Sequence, residues 1–365
     1  MSISRAVSTG VRTIHNTVKS EMLIPSLARE LAQRSTARVL VTGATGRLGQ
    51  TLVPALTDRG MSCISTSRAL PKSPNQVQMT FKESVDDLSR MLEKHDIHAV
   101  LNAAAASSGE LHEMLLVNTE AAVRLSQAAG QVGAAFLQVS TTATQILGVT
   151  QAKPYAYSKQ LAEQILQGND HARIARLDVL LGDDSKIDLS LLAAIGKFLP
   201  VGLQIGGIDS TIQPTTYEAA SKALASYLEM ILAGKDHPIE INIAGHPVKM
   251  SDFIRMVGNS AYELHVPIEA LHGLAKLVNE GSLTQEFLRL AVISNKNPII
   301  HDTADFQSLH GSPIPSVDDM VAKVHETVSY GSLLDAGRRV LSRAPIGRLI
   351  SETAGILTLS DFRKA

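Results

Sequence analysis

Three glycines at fixed spacing, Gly43-x-x-Gly46-x-x-Gly49, constrain this 365-residue chain more than any other feature. They follow the apolar run Arg38-Val39-Leu40-Val41. The stretch after them, Gln50 to Asp58, reads as a helix, and Ser62 to Thr66 reads as a second strand. Strand, glycine turn, helix and strand within about 30 residues make a βαβ unit, whose two strands are parallel. In such a turn the first glycine permits the tight bend. The second lets backbone approach a pyrophosphate with no Cβ in the way, and the third lets helix and strand pack closely. Phosphates then meet free N–H groups at the positive end of the helix. Thr45, Arg47 and Leu48, inside the turn, join the three glycines as expected cofactor contacts.

The alternation continues down the chain. Residues 88–94 read as a helix, 99–103 as a buried strand, 111–132 as a long helix and 135–139 as a strand; 155–167 is again helical and 172–181 again a strand. Repeated βα alternation with apolar strands predicts an α/β fold, a Rossmann-type doubly wound parallel sheet covered on both faces. Beyond Gly182 the pattern loosens. Segments 191–198, 217–233 and 251–257 look helical, 239–243 looks like one more strand, and 265–311 reads as several helices and few strands. That describes a smaller, mostly helical C-terminal substrate lobe. The expected organisation is an N-terminal extension (1–36), a nucleotide-binding core (37–182), a C-terminal lobe with some strands returning to the core (183–330) and an amphipathic tail (331–365).

Composition narrows the function. Apolar residues make up 44% of the chain but aromatics only 4%, with no Trp, so the core must be aliphatic. A net charge of −1 supplies no field to draw in nucleic acid. Cys63 is the only cysteine, which excludes an internal disulfide and a cysteine-rich zinc site. The 12 histidines show no paired ligand spacing, so no metal is expected. No run approaches the ~18 apolar residues of a membrane span. Arg5, Arg12 and Lys19 lie among Ser and Thr with no acid before Glu21, a composition shared by organelle transit segments and by plain basic extensions. A cytoplasmic location is expected, with an organelle matrix as the alternative.

The end of the second strand bears on the cofactor. An acid there would bond a ribose 2′-hydroxyl, whereas an arginine would accept a 2′-phosphate. The residues are Ser65, Thr66, Ser67 and Arg68, with no acid. Ser67 and Arg68 therefore favour NADP, with NAD as the alternative.

In Tyr155-Ala156-Tyr157-Ser158-Lys159, Tyr155 and Lys159 stand at i and i+4, on one face of a helix. A phenol titrates near ~10; a neighbouring ammonium lowers that value and makes the phenol a usable acid/base. Tyr157, at i−2 from Lys159, faces elsewhere. Upstream, Ser140-Thr141-Thr142 follow a buried strand, at the carboxyl end where open α/β sheets bind ligands. Any of the three hydroxyls could bond a reacting oxygen, and spacing does not decide between them.

These segments, together with Asn102-Ala103-Ala104, Val117-Asn118-Thr119 and Pro154-Tyr155-x-x-x-Lys159, resemble the extended short-chain dehydrogenase/reductase family, closest to its NAD-dependent epimerase/dehydratase group. Arg176-x-x-x-x-x-Gly182 resembles that family's segment past the nicotinamide, and Asn242-Ile243-Ala244-Gly245 its late strand. The resemblance covers residues 37 to about 260. It implies Tyr155 as acid/base, Lys159 as its partner, Thr142 as the third residue, Ala103 and Ala104 beside the cofactor, and Asn118 as a structural or proton-relay residue. It also implies a small-molecule substrate and is compatible with a homodimer. Three departures stand out: no clear acid in Thr80-Phe81-Lys82-Glu83, Leu177 in place of a proline, and an extra residue before Gly148. The expected activity is NAD(P)-dependent hydride transfer to or from a carbonyl or alcohol. Alternatives are a nucleotide-sugar epimerase or dehydratase, a thioester reductase, and a non-catalytic cofactor-sensing scaffold.

Overall fold

The computed structural model describes residues 37–107, 109–146, 154–181, 211–249 and 299–327, with the shorter pieces 201–206, 252–253, 256 and 262–267. The N-terminal extension, the C-terminal tail, Gly148, Gly182 and the expected helix at 191–198 lie outside the described residues.

Apolar strands joined by amphipathic helices give the first half of the chain. In order these are β1 (Arg38–Thr42), α1 (Arg47–Thr57), β2 (Ser62–Ser67), β3 (Gln76–Gln78), α2 (Val85–Lys94) and β4 (Ala99–Asn102). A long helix follows in three parts: α3 (Leu111–Met114), a π-helical turn (Leu115–Glu120) and α4 (Ala121–Gln131). Then come β5 (Ala135–Thr141), α5 (Pro154–Leu166), β6 (Ala172–Leu177), α6 (Tyr217–Leu232) and β11 (Glu240–Ile243). Seven strands form one sheet in the order β11-β6-β5-β4-β1-β2-β3, every pair parallel.

Successive strand residues point to opposite faces, so both faces are apolar and both must be covered. Val39, Val41, Leu101, Leu137 and Ala175 pack with Leu52 of α1, Leu224 and Leu228 of α6 and Phe306 of α7 (Ala304–His310). Leu40, Val100, Phe136 and Ile174 pack with Leu88 and Leu92 of α2, Leu125 of α4 and Leu166 of α5. The sheet is doubly wound, and apart from Phe136, Phe306 and Tyr227 its largest fully buried side chains are aliphatic or Met. The order reverses at β1, flanked by β2 on one side and β4 on the other, and the crevice outside their carboxyl ends is where such sheets bind ligands.

Three details differ from the sequence reading. Strand β3 is only three residues long, two of them Gln, too short to show a period. The expected strand 172–181 divides: β6 ends at Leu177, and Leu180–Leu181 (β7) pairs with Thr215–Thr216 (β10) outside the main sheet. Past Gly182 the described residues include strands as well as helices. Val201–Gly206 (β8) pairs in parallel with Tyr262–Pro267 (β13), and Thr211–Ile212 (β9) pairs antiparallel with Val248–Lys249 (β12). The last described element is α8 (Val317–Thr327). Among the described residues no helix is long and apolar enough to cross a membrane, and no cluster of His, Cys, Asp and Glu could hold a metal.

Candidate active site

The glycine turn joins β1 to α1, and its shape follows from absent Cβ atoms. Gly43 has φ +69°, and a Cβ there would lie 2.8 Å from the Ala103 carbonyl oxygen and the Ala104 nitrogen. The turn and the end of β4 thus touch backbone to backbone. At Gly49 a Cβ would come within 2.5 Å of the Ala44 Cα. Helices α2 and α6 are capped by the hydroxyls of Ser84 and Thr216, which accept from Asp87 N–H and Ala219 N–H. Helix α1 differs: its cap is Gly46, with no side-chain acceptor. An uncapped helix start behind a Cβ-free cradle fits a dinucleotide pyrophosphate. Thr45 is exposed beside it, Arg47 and Leu48 are half-buried, and Ala104 is buried with its N–H donated to the Thr42 hydroxyl at 3.0 Å. Ser67 caps its own bend, accepting from Ala69 N–H at 3.1 Å, and Arg68 is exposed. Glu83 turns back on its own loop, accepting from Thr80 N–H at 2.6 Å and Thr80 Oγ1 at 2.8 Å.

A chain of buried amides runs from the glycine turn across the strand ends. Thr42 donates to Asn102 Oδ1 at 2.5 Å, Asn102 donates to Gln138 Oε1 at 2.8 Å, and Gln138 donates to the Val139 carbonyl at 2.7 Å. That same carbonyl accepts from Lys159 Nζ at 3.0 Å. Lys159 is therefore fixed on the carboxyl end of β5, one helical turn after half-buried Tyr155. Burial pushes the Lys159 ammonium down to about 8, partly offset by the charge of Glu163.

The three competing hydroxyls have separate partners. Ser140 donates to Glu163 Oε1, and Thr144 donates to the same oxygen at 3.0 Å. Thr141 accepts from Ala143 N–H at 3.3 Å, capping a 3₁₀ turn at Thr142–Gln145. Thr142, also buried, donates to Asp178 Oδ2 at 2.8 Å. Glu163 is neutralised by Arg176, whose guanidinium meets Glu163 Oε2 at 2.9 and 2.7 Å and reaches Glu240 at 2.7 Å.

Asn118 sits in the π-helical turn, where the extra residue per turn lets the helix reach sideways. Its amide accepts from Ala106 N–H at 2.8 Å and donates to the Ala106 carbonyl at 2.9 Å and to Ser158 Oγ at 2.9 Å. Ser158 donates to the Tyr155 carbonyl at 2.8 Å, and Thr119 donates to the Ser158 carbonyl at 2.7 Å. Asn118 thus ties the loop after β4 to the Tyr155 helix.

Sequence reasoning missed Gln138, Glu163, Asp178, Gln213 and His301. Glu163 carried a signal, standing i+4 from Lys159. Buried Gln213 carried none: its amide spans the Gly245 carbonyl (3.0 Å) and the backbone of His301 (2.9 and 2.6 Å), 88 residues away.

The sequence profile of the NAD dependent epimerase/dehydratase family matches residues 39–176. No curated protein matches the chain. Solved structures do. A UDP-N-acetylglucosamine 4-epimerase from Bacillus cereus shares 16% identity over 80% of this chain and 98% of that one, with TM-score 0.54. A nucleoside-diphosphate-sugar epimerase from Staphylococcus aureus shares 13% over 78% and 99%, with TM-score 0.60. MoeE5, in complex with UDP-glucuronic acid and NAD, shares 17% over 80% and 100%, with TM-score 0.54. At these identities the likeness to solved structures is one of fold. Over residues 39–176, which hold the glycine turn and the Tyr155–Lys159 helix in one sheet, the chain is similar to the NAD-dependent epimerase/dehydratase family, and its fold is that of the sugar-nucleotide epimerases among the solved structures.

Proposed function

We propose that the chain catalyses hydride transfer between a nicotinamide cofactor and an alcohol or carbonyl carbon of a small molecule. Tyr155 is the acid/base, Lys159 its electrostatic partner, and Thr142 the hydroxyl beside the reacting oxygen. The observation that carries this reading is the buried Lys159, fixed at the ligand-binding end of the sheet and held to about 8 by burial. An ammonium titrating there is still largely protonated at neutral pH. In a desolvated place its field on a neighbouring phenol is weakly screened, which favours the phenolate.

The cofactor, when bound, supplies or takes up the hydride. The protein's part is binding and proton handling. Gly43, Gly46 and Gly49 with the start of α1 hold the pyrophosphate, assisted by Thr45, Arg47 and Leu48. Ala103 and Ala104 flank the cofactor, and Asn118 keeps their loop in place. Lys159 serves the ribose hydroxyls, and Tyr155 moves the proton at the substrate oxygen. Ser67 and Arg68 at the end of β2, with no acid beside them, favour NADP over NAD.

A second reading is a nucleotide-sugar epimerase or dehydratase, in which the hydride returns to the substrate within one turnover. It is supported by the epimerase/dehydratase profile that matches residues 39–176 and by the sugar-nucleotide epimerases among the structural neighbours. One experiment separates the two. Thermal stabilisation by NADP and by NAD fixes the cofactor. The loaded protein is then offered a carbonyl panel, read as net NAD(P)H oxidation, and UDP-N-acetylglucosamine and UDP-glucuronic acid, read as isomerised or dehydrated sugar. In either case Tyr155→Phe should lose at least ~10²-fold in turnover with cofactor affinity kept. Full turnover by the variant overturns the reading.

A further inference from the structure

Asp178 stands just past the end of β6, and the reading above does not use it. Its Oδ2 accepts the Thr142 hydroxyl proton at 2.8 Å. Its Oδ1 accepts from Val179 N–H at 2.7 Å and Gln213 N–H at 3.3 Å. Among the described residues the titratable group acting on it is His301, which in turn feels Arg176. Burial pushes the carboxyl of Asp178 up, against the three donors and His301, and burial holds the imidazole of His301 down. A carboxylate thus sits in a partly desolvated place with its oxygens assigned different tasks.

A threonine hydroxyl has one proton to give and two lone pairs to offer. Here the proton is given to Asp178, which leaves the lone pairs for other partners. We propose, on the reading of Thr142 as the hydroxyl beside the reacting oxygen, that Asp178 is a positioning residue that sets which way the Thr142 proton points. With Asp178 ionised, Thr142 donates to Oδ2 and turns lone pairs to the site, which suits a substrate alcohol. With Asp178 protonated, the acid proton on Oδ2 is donated to Thr142 Oγ1, and the Thr142 proton is released toward a carbonyl oxygen. One proton enters the dyad and one hydrogen bond reverses; no bond to carbon changes. The dyad therefore matches the site to the oxidation state of the substrate.

Asp178→Asn isolates one state. Val179 and Gln213 both donate to the Oδ1 position, so an amide oxygen settles there and the amide N–H faces Thr142, imitating the protonated acid. Two measurements on the full chain test the proposal. In the cofactor-free protein with ¹³C-labelled aspartate, assigned by loss of one signal in Asp178→Asn, Thr142→Val should raise the Asp178 carboxyl pKa by about one to two units. That is the ten- to hundredfold worth of a hydrogen bond to a charge. Thr142→Ser should restore it, and an unmoved carboxyl overturns the dyad. In the NAD-loaded protein, phenolate absorbance is titrated with Tyr155→Phe as the difference reference. Asp178→Asn should lower the Tyr155 pKa by about one unit, and most of that shift should vanish in the Thr142→Val background. A shift of the same size without the Thr142 hydroxyl means that Asp178 acts through charge alone and overturns the positioning role. If no phenol assigned to Tyr155 titrates below its ordinary value, the acid/base reading of Tyr155 fails instead, while the carboxyl titration still decides the dyad.

Discussion

The two ends of the site are built on opposite principles. Around β1 and α1 the surface is shaped by missing atoms: glycines let backbone meet backbone, and no buried charge is involved. Around β5, α5 and β6 the surface is shaped by charges, with Lys159, Glu163, Arg176 and Asp178 packed into a few strand and helix ends, and each needs a partner. A steric site fails when anything is added. A charged site fails when anything is removed, because the partner left behind is a buried ion with nowhere to go.

The sharpest way to break this contrast is within the Glu163–Arg176–Glu240 triad. Glu163 and Arg176 side chains are each 6% exposed, while Glu240 is 30% exposed. Glu163→Gln leaves a buried guanidinium with only its outer partner, and strips Ser140 and Thr144 of a charged acceptor. It should cost about 3 kcal/mol of unfolding free energy. Glu240→Gln, at the wet end of the same guanidinium, should cost about 1 kcal/mol or less. Chemical denaturation of the two variants reads the difference directly. Equal losses would mean that burial does not govern this end.

The steric end is tested by two glycines with nearly the same backbone. Gly43 and Gly133 have φ +69° and +72°. A Cβ on Gly133 meets nothing within 4 Å, whereas one on Gly43 meets the Ala103 carbonyl oxygen and the Ala104 nitrogen at 2.8 Å. Gly133→Ala should therefore cost only the left-handed strain, about 1 kcal/mol. Gly43→Ala should cost about 1–2 kcal/mol more and also lose NAD and NADP stabilisation in a thermal-shift assay. If both alanines cost the same and cofactor still binds, the cradle is not what shapes this end.

The same contrast explains what the sequence disclosed. The steric end is local: three glycines, the strand before them and the helix after them lie within twenty residues, and six of the sheet's seven strands show as apolar runs alternating with helices, all but the short β3. The Tyr155–Lys159 spacing is local too. The charged end is assembled from a distance. Gln138 joins Asn102 across two strands, Arg176 finds Glu163 from the next strand, and Asp178 reads as one more residue of a strand until β6 ends at Leu177. Its carboxylate then acquires Thr142, 36 positions away, as its partner. The π-helical turn is silent in the sequence, as are the bonds of Asn118 to Ala106 and Ser158 that go with it, because they are tertiary. The partners of Ser140 and Thr142, Glu163 and Asp178, are likewise ones that no spacing shows.

Lys159 is where the contrast can be sharpened most, because there the charge works against the fold. Its pKa is held to about 8, against 10.5 for an unburdened lysine, so the protonated form costs the folded state about 3 kcal/mol at neutral pH. Lys159→Met removes that cost along with one hydrogen bond to the Val139 carbonyl. The carbonyl keeps Gln138 as a donor at 2.7 Å, and Glu163 keeps Arg176, so neither is orphaned. The variant should therefore be more stable than the parent at pH 7, by about 1–2 kcal/mol or a few degrees in Tm, while losing turnover. The sign of the pH dependence follows from linkage. Between about pH 8 and 10.5 the folded parent has lost the proton that the unfolded chain still holds, so the parent's stability rises with pH across that window. The gap between variant and parent should narrow there and be widest below pH 8. Denaturation midpoints measured at pH 7 and pH 10 decide it. A variant less stable than the parent at pH 7, with no narrowing at pH 10, would mean that the buried ammonium contributes to the fold, and that the charged end is held together by the residue to which the proposed chemistry is assigned.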